Sequence, residues 1–444
     1  MKTPISDFAR KYADGNYVRA HMPGHKGKSM IGCEAIDITE FDGADSLYEC
    51  NGIIAESEGN VSSLFGCDTF YSTEGSSHCI RAMMYLICLY ASSRGERATV
   101  LAARNCHKSF ISACAMLDFD VEWIYPSEGE SYLSCTVSAE MLEKILSQSK
   151  KSITALYITS PDYLGNVADV SAISAVCRRH GVLLAVDNAH GAYLKFLPES
   201  AHPIDLGADI CCDSAHKTLP VLTGGAYLHI SKDAPTVLFN NVKRALAAFG
   251  STSPSYLILQ SLDLANAYIS GSYRNDLASL CARMGDMKKR LGERGYTFVG
   301  NEMTKLTIDS KKYGYTADKL ASMLANDNVV VEFYDSDYLV MMFTPENADC
   351  LSFVENALSR IEKRAAIDGQ KLAFSAPERA MSIRSASFMP SEEIGVESSE
   401  GRVLASTGVT CPPAVPILVC GEIIDKNAIE CFKYYGIKRV SVVI

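Results

Sequence analysis

"ADICCDSAHKTLPVLTGGAYLHI", residues 208–230, sets an apolar run against a polar Ser-x-His-Lys cluster and closes on paired glycines before a second apolar run. A buried strand has little use for Ser214, His216 and Lys217, and a surface loop rarely follows a segment as apolar as "ADICC". The stretch reads as two short strands, 208–213 and 225–230, with a chemically equipped turn between them. The same style continues outward. "ATVLAA" (98–103), "VEWIY" (121–125), "ITALYITS" (153–160) and "VLLAVD" (182–187) read as buried strands. Residues 78–92, "SAEMLEKILSQ" (138–148) and "VSAISAVCRRHG" (170–181) have helical length and pattern, the last closed by Gly181 as a C-cap. Short apolar strands alternating with helices imply an α/β fold with a mostly parallel sheet covered on both faces.

The chain of 444 residues has room for about two to three domains, and its 48% hydrophobic and 21% charged residues are those of an ordinary globular protein. The expected division is 1–270, an N-terminal arm and major domain, and 271–444, a connecting helix and a smaller C-terminal α/β domain. In the second part "TKLTIDS", "VVVEFY" and "YLVMMFTP" read as strands, a long helix is expected near 346–366, and 368–400 reads as partly irregular. The longest apolar run, Ala82–Ala91, is far short of the ~20 residues that span a bilayer. "MKTPISDFARKYADG" has no apolar core or cleavage site, so a cytoplasmic enzyme without membrane contact is expected. The net charge of −10 argues against a nucleic-acid partner and suits a small cationic substrate. Sixteen cysteines, none in a C-x-x-C pair, read as free thiols in a reducing compartment, and no metal is expected because zinc-ligand spacing is missing.

A sheet of this kind places its site outside the carboxyl ends of its strands. Polar residues gather there: Asn105 and His107, Ser160 to Gly165, Asp187 to His190, and Ser214 to Lys217. Together they offer what pyridoxal 5′-phosphate needs. Lys217 can form a Schiff base, and Asp187, ending a very apolar strand, can hold the pyridine nitrogen protonated. "STEGSSHC" (72–79) is a Gly/Ser turn entering a helix near His78, suited to a phosphate, and His107 is a planar group that could lie on the ring. Each residue alone has a plainer reading as a cap, a loop residue or a solvated lysine. Their order on one sheet favours the cofactor.

"HMPGHKG" (21–27), "ITEFDGADSLYECNGIIAESE" (38–58), "STEGSSH", "RNCHKS" (104–109), "TSPDYLGNVADV" (159–170), "VDNAHGAY" (186–193) and "DSAHKTLPVLTGGAYLH" (213–229) follow one another along the chain. In this order they resemble the major domain of the Orn/Lys/Arg decarboxylases, bacterial basic-amino-acid decarboxylases with the aspartate-aminotransferase-like fold. "GRVLASTGVTCPPAVPILVCGEII" (401–424) resembles that family's C-terminal domain. The resemblance implies a large domain with a mostly parallel seven-stranded sheet, pyridoxal phosphate as cofactor, and the compact form lacking a wing domain. It also implies a homodimer with its site at the interface.

By position, the resemblance gives Lys217 the covalent link to the cofactor, Asp187 the pyridine nitrogen, and Ala189 and His107 the two faces of the ring. Ser76, Ser77, His78, Ser214 and His216 would surround the phosphate, with His190 beside them. The N-terminal group His21, His25, Lys26 and Asp45 is one that a core would not want, and the resemblance assigns that region to the substrate or to the neighbouring site. The chain departs from the family's pattern at Ala405-Ser406, where Ala-Glu is usual, and at Cys411 and Ala414, which flank the prolines where Tyr and Gly are usual. It departs again at Cys420, where proline is usual, and at Gly224, where glutamine is common. The expected reaction is α-decarboxylation of arginine, lysine or ornithine to an amine that is a polyamine or its precursor. Asp45 and Glu422 are the candidate acids for the substrate's distal cation. The alternatives are transamination or elimination on the same cofactor, with Arg384 or Arg402 as the carboxylate clamp, and a silent paralogue acting by dimerisation.

Overall fold

The computed structural model describes residues 1–127, 130–368, 372, 374–406, 410, 411 and 414–444. Pro412 and Pro413 of the C-terminal motif lie outside these residues. The main sheet contains β1 (Asp68–Ser72), β2 (Thr99–Ala103), β3 (Asp120–Ile124), β4 (Ala155–Thr159), β5 (Leu183–Asp187), β6 (Ile210–Asp213) and β7 (Ala226–Ile230). Its order is β1-β7-β6-β5-β4-β2-β3. The pairs β2–β3, β2–β4 and β5–β6 are parallel, whereas β7 runs antiparallel to both β1 and β6. The mostly parallel seven-stranded sheet is therefore present, and β7 is its exception. Between β6 and β7 the only helix is the short turn Ala215–Thr218, too little for the crossover a parallel strand needs.

The chain forms two compact units, each discontinuous in sequence: Met1–Ala98 with Ser174–Asp276, and Thr99–Ile173 with Leu277–Ile444. In the first unit, α1 (Pro4–Asp14), α2 (Ile53–Phe65) and α3 (Gly75–Ser93) accompany β1, β5, β6 and β7. Helix α3 starts at Gly75 rather than near His78, so Ser76 and Ser77 fall in its first turn. Gly75 has φ of +72°, a conformation that costs glycine little. The open N-terminus of α1 is served by Asp263, whose Oδ2 accepts from the Ile5 and Ser6 amides at 3.0 Å each. Phe65, Tyr71, Phe196, Tyr227 and Tyr256 are fully buried in this unit.

In the second unit α4 (Lys108–Leu117) and α5 (Ala139–Gln148) accompany β2, β3 and β4. An antiparallel sheet follows, built from β8 (Phe298–Val299), β9 (Lys305–Asp309), β10 (Phe333–Tyr334) and β11 (Tyr338–Met342) in the order β10-β11-β9-β8. Short pairs complete it: β12 (Ser391–Gly395) with β15 (Arg439–Val443), and β13 (Thr410–Cys411) with β14 (Val415–Pro416). A core of Leu133, Leu164, Val340, Leu404, Ile417, Ile424 and Phe432 lies beneath these elements.

Two expectations for this part need correction, the helix near 346–366 and the strand "VVVEFY". The long helix near 346–366 is a 3-10 turn, Pro345–Cys350, followed by the helix Leu351–Ser359; Asn347, with φ of −125°, interrupts the run. Among its described residues the stretch 368–400 is partly irregular as expected, with the helix Ile383–Phe388, whose Ser382 cap accepts from the Ser385 amide, and β12 within it. "VVVEFY" contributes only β10, and its Val330 is 93% exposed. The expected connecting helix spans Tyr273–Glu293, and α6 (Val170–His180) ends at Gly181 with φ of +66°. Among the described residues no helix is long and apolar enough to cross a membrane, and the fifteen cysteines other than Cys411 are free thiols.

Candidate active site

Four apolar residues, Leu183–Val186, and a terminal carboxylate, Asp187, make β5 a strand buried throughout. Asp187 is 2% exposed and lies in register with Cys212 of β6. Its Oδ1 accepts from the Ala189 amide at 3.2 Å and faces the Cys212 thiol at 3.8 Å. The chain then turns sharply, with the Asn188 amide on the Cys212 carbonyl at 2.9 Å and the Gly191 amide on the Asn188 carbonyl at 2.8 Å. A Cβ at Gly191 would stand 2.0 Å from Asn188 Oδ1, so any side chain there would have to displace the buried Asn188. Ala189 and His190 are held at its apex. After β6 the turn Ala215–Thr218 presents Lys217, whose Nζ lies 3.0 Å from His190 Nε2. The amine thus meets an imidazole from the neighbouring strand's turn.

The α3 entrance adjoins this pair. Ser214 donates to Ser76 Oγ at 2.8 Å, and both hydroxyls are buried at the N-terminus of a 19-residue helix. Ser77 is half-buried on the same turn. Backbone bonds stitch the two loops together: the Gly75 amide donates to the Gly224 carbonyl at 2.7 Å, and the His216 amide to Gly225 at 3.2 Å. Gly224 has φ of +102°, and a Cβ there would stand 2.7 Å from the Thr73 carbonyl oxygen. The glycine in place of the expected glutamine therefore has a local cause.

His78 is spent on the scaffold. Its Nε2–H donates to the Leu246 carbonyl at 2.7 Å, which leaves Nδ1 to accept from Ser72 Oγ at 2.8 Å. Burial lowers its pKa. His216 donates Nδ1–H to the Gly225 carbonyl at 2.9 Å, and burial lowers its pKa too. Asp213, unused in the reading of the sequence, accepts from Asn188 Nδ2 at 2.7 Å and from the Nε2 atoms of His202 and His229 at 3.1 Å each. Burial works to raise the Asp213 carboxyl, but the two imidazoles hold it well below the usual carboxylate range.

With this geometry in place the chain can be compared with known proteins. Residues 3–313 match the family described as Orn/Lys/Arg decarboxylase, major domain. The chain belongs to that family. It is 29% identical to an arginine decarboxylase of Bacillus subtilis, over 97% of this chain and 92% of the relative. It is 26% identical to the uncharacterised protein YaaO of the same organism, over 97% and 93%. The fold is similar to that of the lysine decarboxylase LdcF of Francisella novicida, with a TM-score of 0.78 and 17% identity, covering all of this chain and 81% of that one.

Within this Orn/Lys/Arg decarboxylase the remaining expected residues stand as follows. His107 belongs to the second unit, where it caps α4 and accepts from the Ser109 amide at 3.1 Å through Nδ1. Asp45 organises its own loop: Oδ1 accepts from the Ser46 and Asn51 amides, and Oδ2 from those of Gly52 and Ile54. Burial would raise its pKa, yet these backbone donors lower it. Glu422 is paired with Arg104 at 2.9 Å, with side chains 5% and 1% exposed, and also accepts from the Val419 amide. Arg104 donates further to the Pro416 and Ile417 carbonyls, and its guanidinium lies 5.2 Å from the Trp123 ring centre. The two candidate acids are thus engaged within the fold. So are the two arginines: Arg384 donates to the Ala115 and Met116 carbonyls, and Arg402 to Glu392 and the Val443 carbonyl.

Proposed function

We propose that this chain decarboxylates a basic amino acid, arginine, lysine or ornithine, with pyridoxal 5′-phosphate bound in the first unit. The observation that carries the reading is the Lys217–His190 contact of 3.0 Å at the strand ends, beside the buried carboxylate of Asp187. The donor set suits the cofactor's chemistry. An amine, a strand-end carboxylate and two buried hydroxyls at a helix N-terminus match an aldehyde, a pyridine nitrogen and a phosphate. Bound there, the cofactor would supply an electron sink for the pair left behind when the carboxylate departs as carbon dioxide.

The protein's own groups would do the rest. Lys217 would hold the cofactor, and Asp187 would keep its ring nitrogen charged in a site of low dielectric. Ser76, Ser77, Ser214 and the first amides of α3 would bind the phosphate, with Ala189 against the ring. Lys217 Nζ and His190 Nε2, within hydrogen-bond distance, would hold and deliver the proton that replaces the carboxyl group. His78 and His216 would brace the two loops, given the carbonyls they already serve. The family supports a homodimeric, cytoplasmic enzyme whose amine product belongs to the polyamines. Transamination is disfavoured, because both arginines suited to a carboxylate clamp donate to groups in their own unit.

Purified protein incubated with pyridoxal phosphate and each of the three amino acids should release carbon dioxide with one of them. Borohydride reduction should fix the cofactor on Lys217. Release with none of the three, or label on another lysine, overturns the proposal.

A further inference from the structure

Beneath the turn that carries Lys217, one face of the first unit's sheet buries an unusual set of side chains. Cys211 and Asp213 alternate along β6 and so point to the same face. His229 of β7 sits in register opposite Cys211. His202 arrives from the loop that follows the 3-10 turn Ala192–Phe196. All four residues are 0% exposed, and one donor atom from each lies within 4.8 Å of all the others. The ring of Phe65 packs 5.3 Å from His202 and 4.5 Å from His229, centre to centre, so the cluster is walled by an aromatic side chain.

Two imidazoles, a thiol and a carboxylate are a complete donor set for a tetrahedral zinc-class ion. We propose that His202, Cys211, Asp213 and His229 form a closed structural site for a divalent cation of that class. Charge supports the assignment. A thiolate, a carboxylate and two neutral imidazoles balance a divalent ion, which full burial demands. The surroundings also suit ligation. His229 Nδ1 faces Thr69 Oγ1 at 2.9 Å, an acceptor that would turn its Nε2 lone pair toward the ion, and Asn188 holds the other Asp213 oxygen. In the metal-free form the Asp213 carboxylate is held by protons on the imidazoles instead. Loading would release the Cys211 thiol proton to solvent and leave each imidazole neutral, its proton on the nitrogen turned away from the ion, so the loaded cluster is neutral. His202 would exchange a long contact, 3.4 Å from the Ile204 amide to Nδ1, for its bond to the ion. The spacing of positions 202, 211, 213 and 229 follows no zinc motif. The site is created by β-pairing, and it does not depend on which reaction the chain catalyses.

With no exposed ligand, the ion must enter during folding. The full chain, purified without chelator, should carry one equivalent of zinc by elemental analysis. Refolded in Co2+, it should show tetrahedral cobalt absorption with a thiolate charge-transfer band. Refolded with a chelator, it should melt at a clearly lower temperature than the Zn2+-refolded chain. Cys211→Ser should lose the thiolate band, whereas Cys67→Ser, whose sulfur lies 3.7 Å from the far nitrogen of His229, should keep it. If Cys211→Ser does not fold, the wild-type cobalt spectrum and the melting comparison decide. A purified chain without metal, whose Co2+-refolded form lacks the thiolate band and whose melting ignores chelator, overturns the site. A band that persists in Cys211→Ser does so too.

Discussion

The strand-end turns of the first unit and the 401–424 segment of the second each carry family motifs, but they use their charges in opposite ways. In the first, the Lys217 amine lies against an imidazole, and the Asp187 carboxylate takes a backbone amide and a thiol. In the second, Glu422 is locked onto Arg104, which also clasps two carbonyls. An amine facing an imidazole stays available for proton transfer. A buried carboxylate facing a guanidinium is committed to holding the chain in place. The comparison teaches that one motif can leave an amine beside an imidazole while another closes a buried ion pair.

Substitutions can break this contrast. Lys217→Ala should abolish decarboxylation, roughly a thousandfold or more, and remove the cofactor's bound absorbance while leaving urea stability nearly unchanged. A large loss of stability instead would blur the distinction. Glu422→Gln should do the reverse: it leaves the Arg104 charge buried without its partner and should cost about 3–5 kcal/mol in chemical denaturation, with KM of the surviving enzyme little altered. A selective rise in KM would return Glu422 to the substrate. Ser214→Ala should weaken cofactor retention by about 10- to 100-fold, measured by dialysis and absorbance, through loss of a charge-assisted hydrogen bond worth about 1.5–3 kcal/mol. Asp45→Asn should cost about 1 kcal/mol, because it removes a cap rather than a substrate ligand. The Asp45 pKa lies below its ordinary value of 3.8, so this stability is present above that pH and lost as the pH falls through the native value. The variant should therefore flatten the acid limb of the stability profile.

What the sequence made legible was local. The placement of Asp187 and Lys217 at strand ends and the alternation of strands with helices could be read because each lies within a few residues of the apolar run that positions it. The start of α3 was nearly legible; its shift to Gly75 follows from a glycine with positive φ. The polar clusters were hidden because their partners are remote. Arg104 and Glu422 are 318 positions apart. Asp213 meets His229 because β7 returns antiparallel, a reversal that no apolar run announces. The alternation of Cys211 with Asp213 was the available signal, and without the strand pairing it pointed at nothing. In the second unit the helix expected near 346–366 begins only at Leu351, past the non-helical Asn347, and stops at Ser359.

The bond from the Gly75 amide to the Gly224 carbonyl has a dynamic corollary. Because β1 leaves the sheet where β7 enters it, the serine-bearing loop and the lysine-bearing loop cannot breathe separately: opening one breaks the other's backbone seam. Deuterium uptake at Gly75 and at His216 should then rise together under mild destabilisation. Any drift that carries the lysine away from its seat would loosen the anion cradle in the same event.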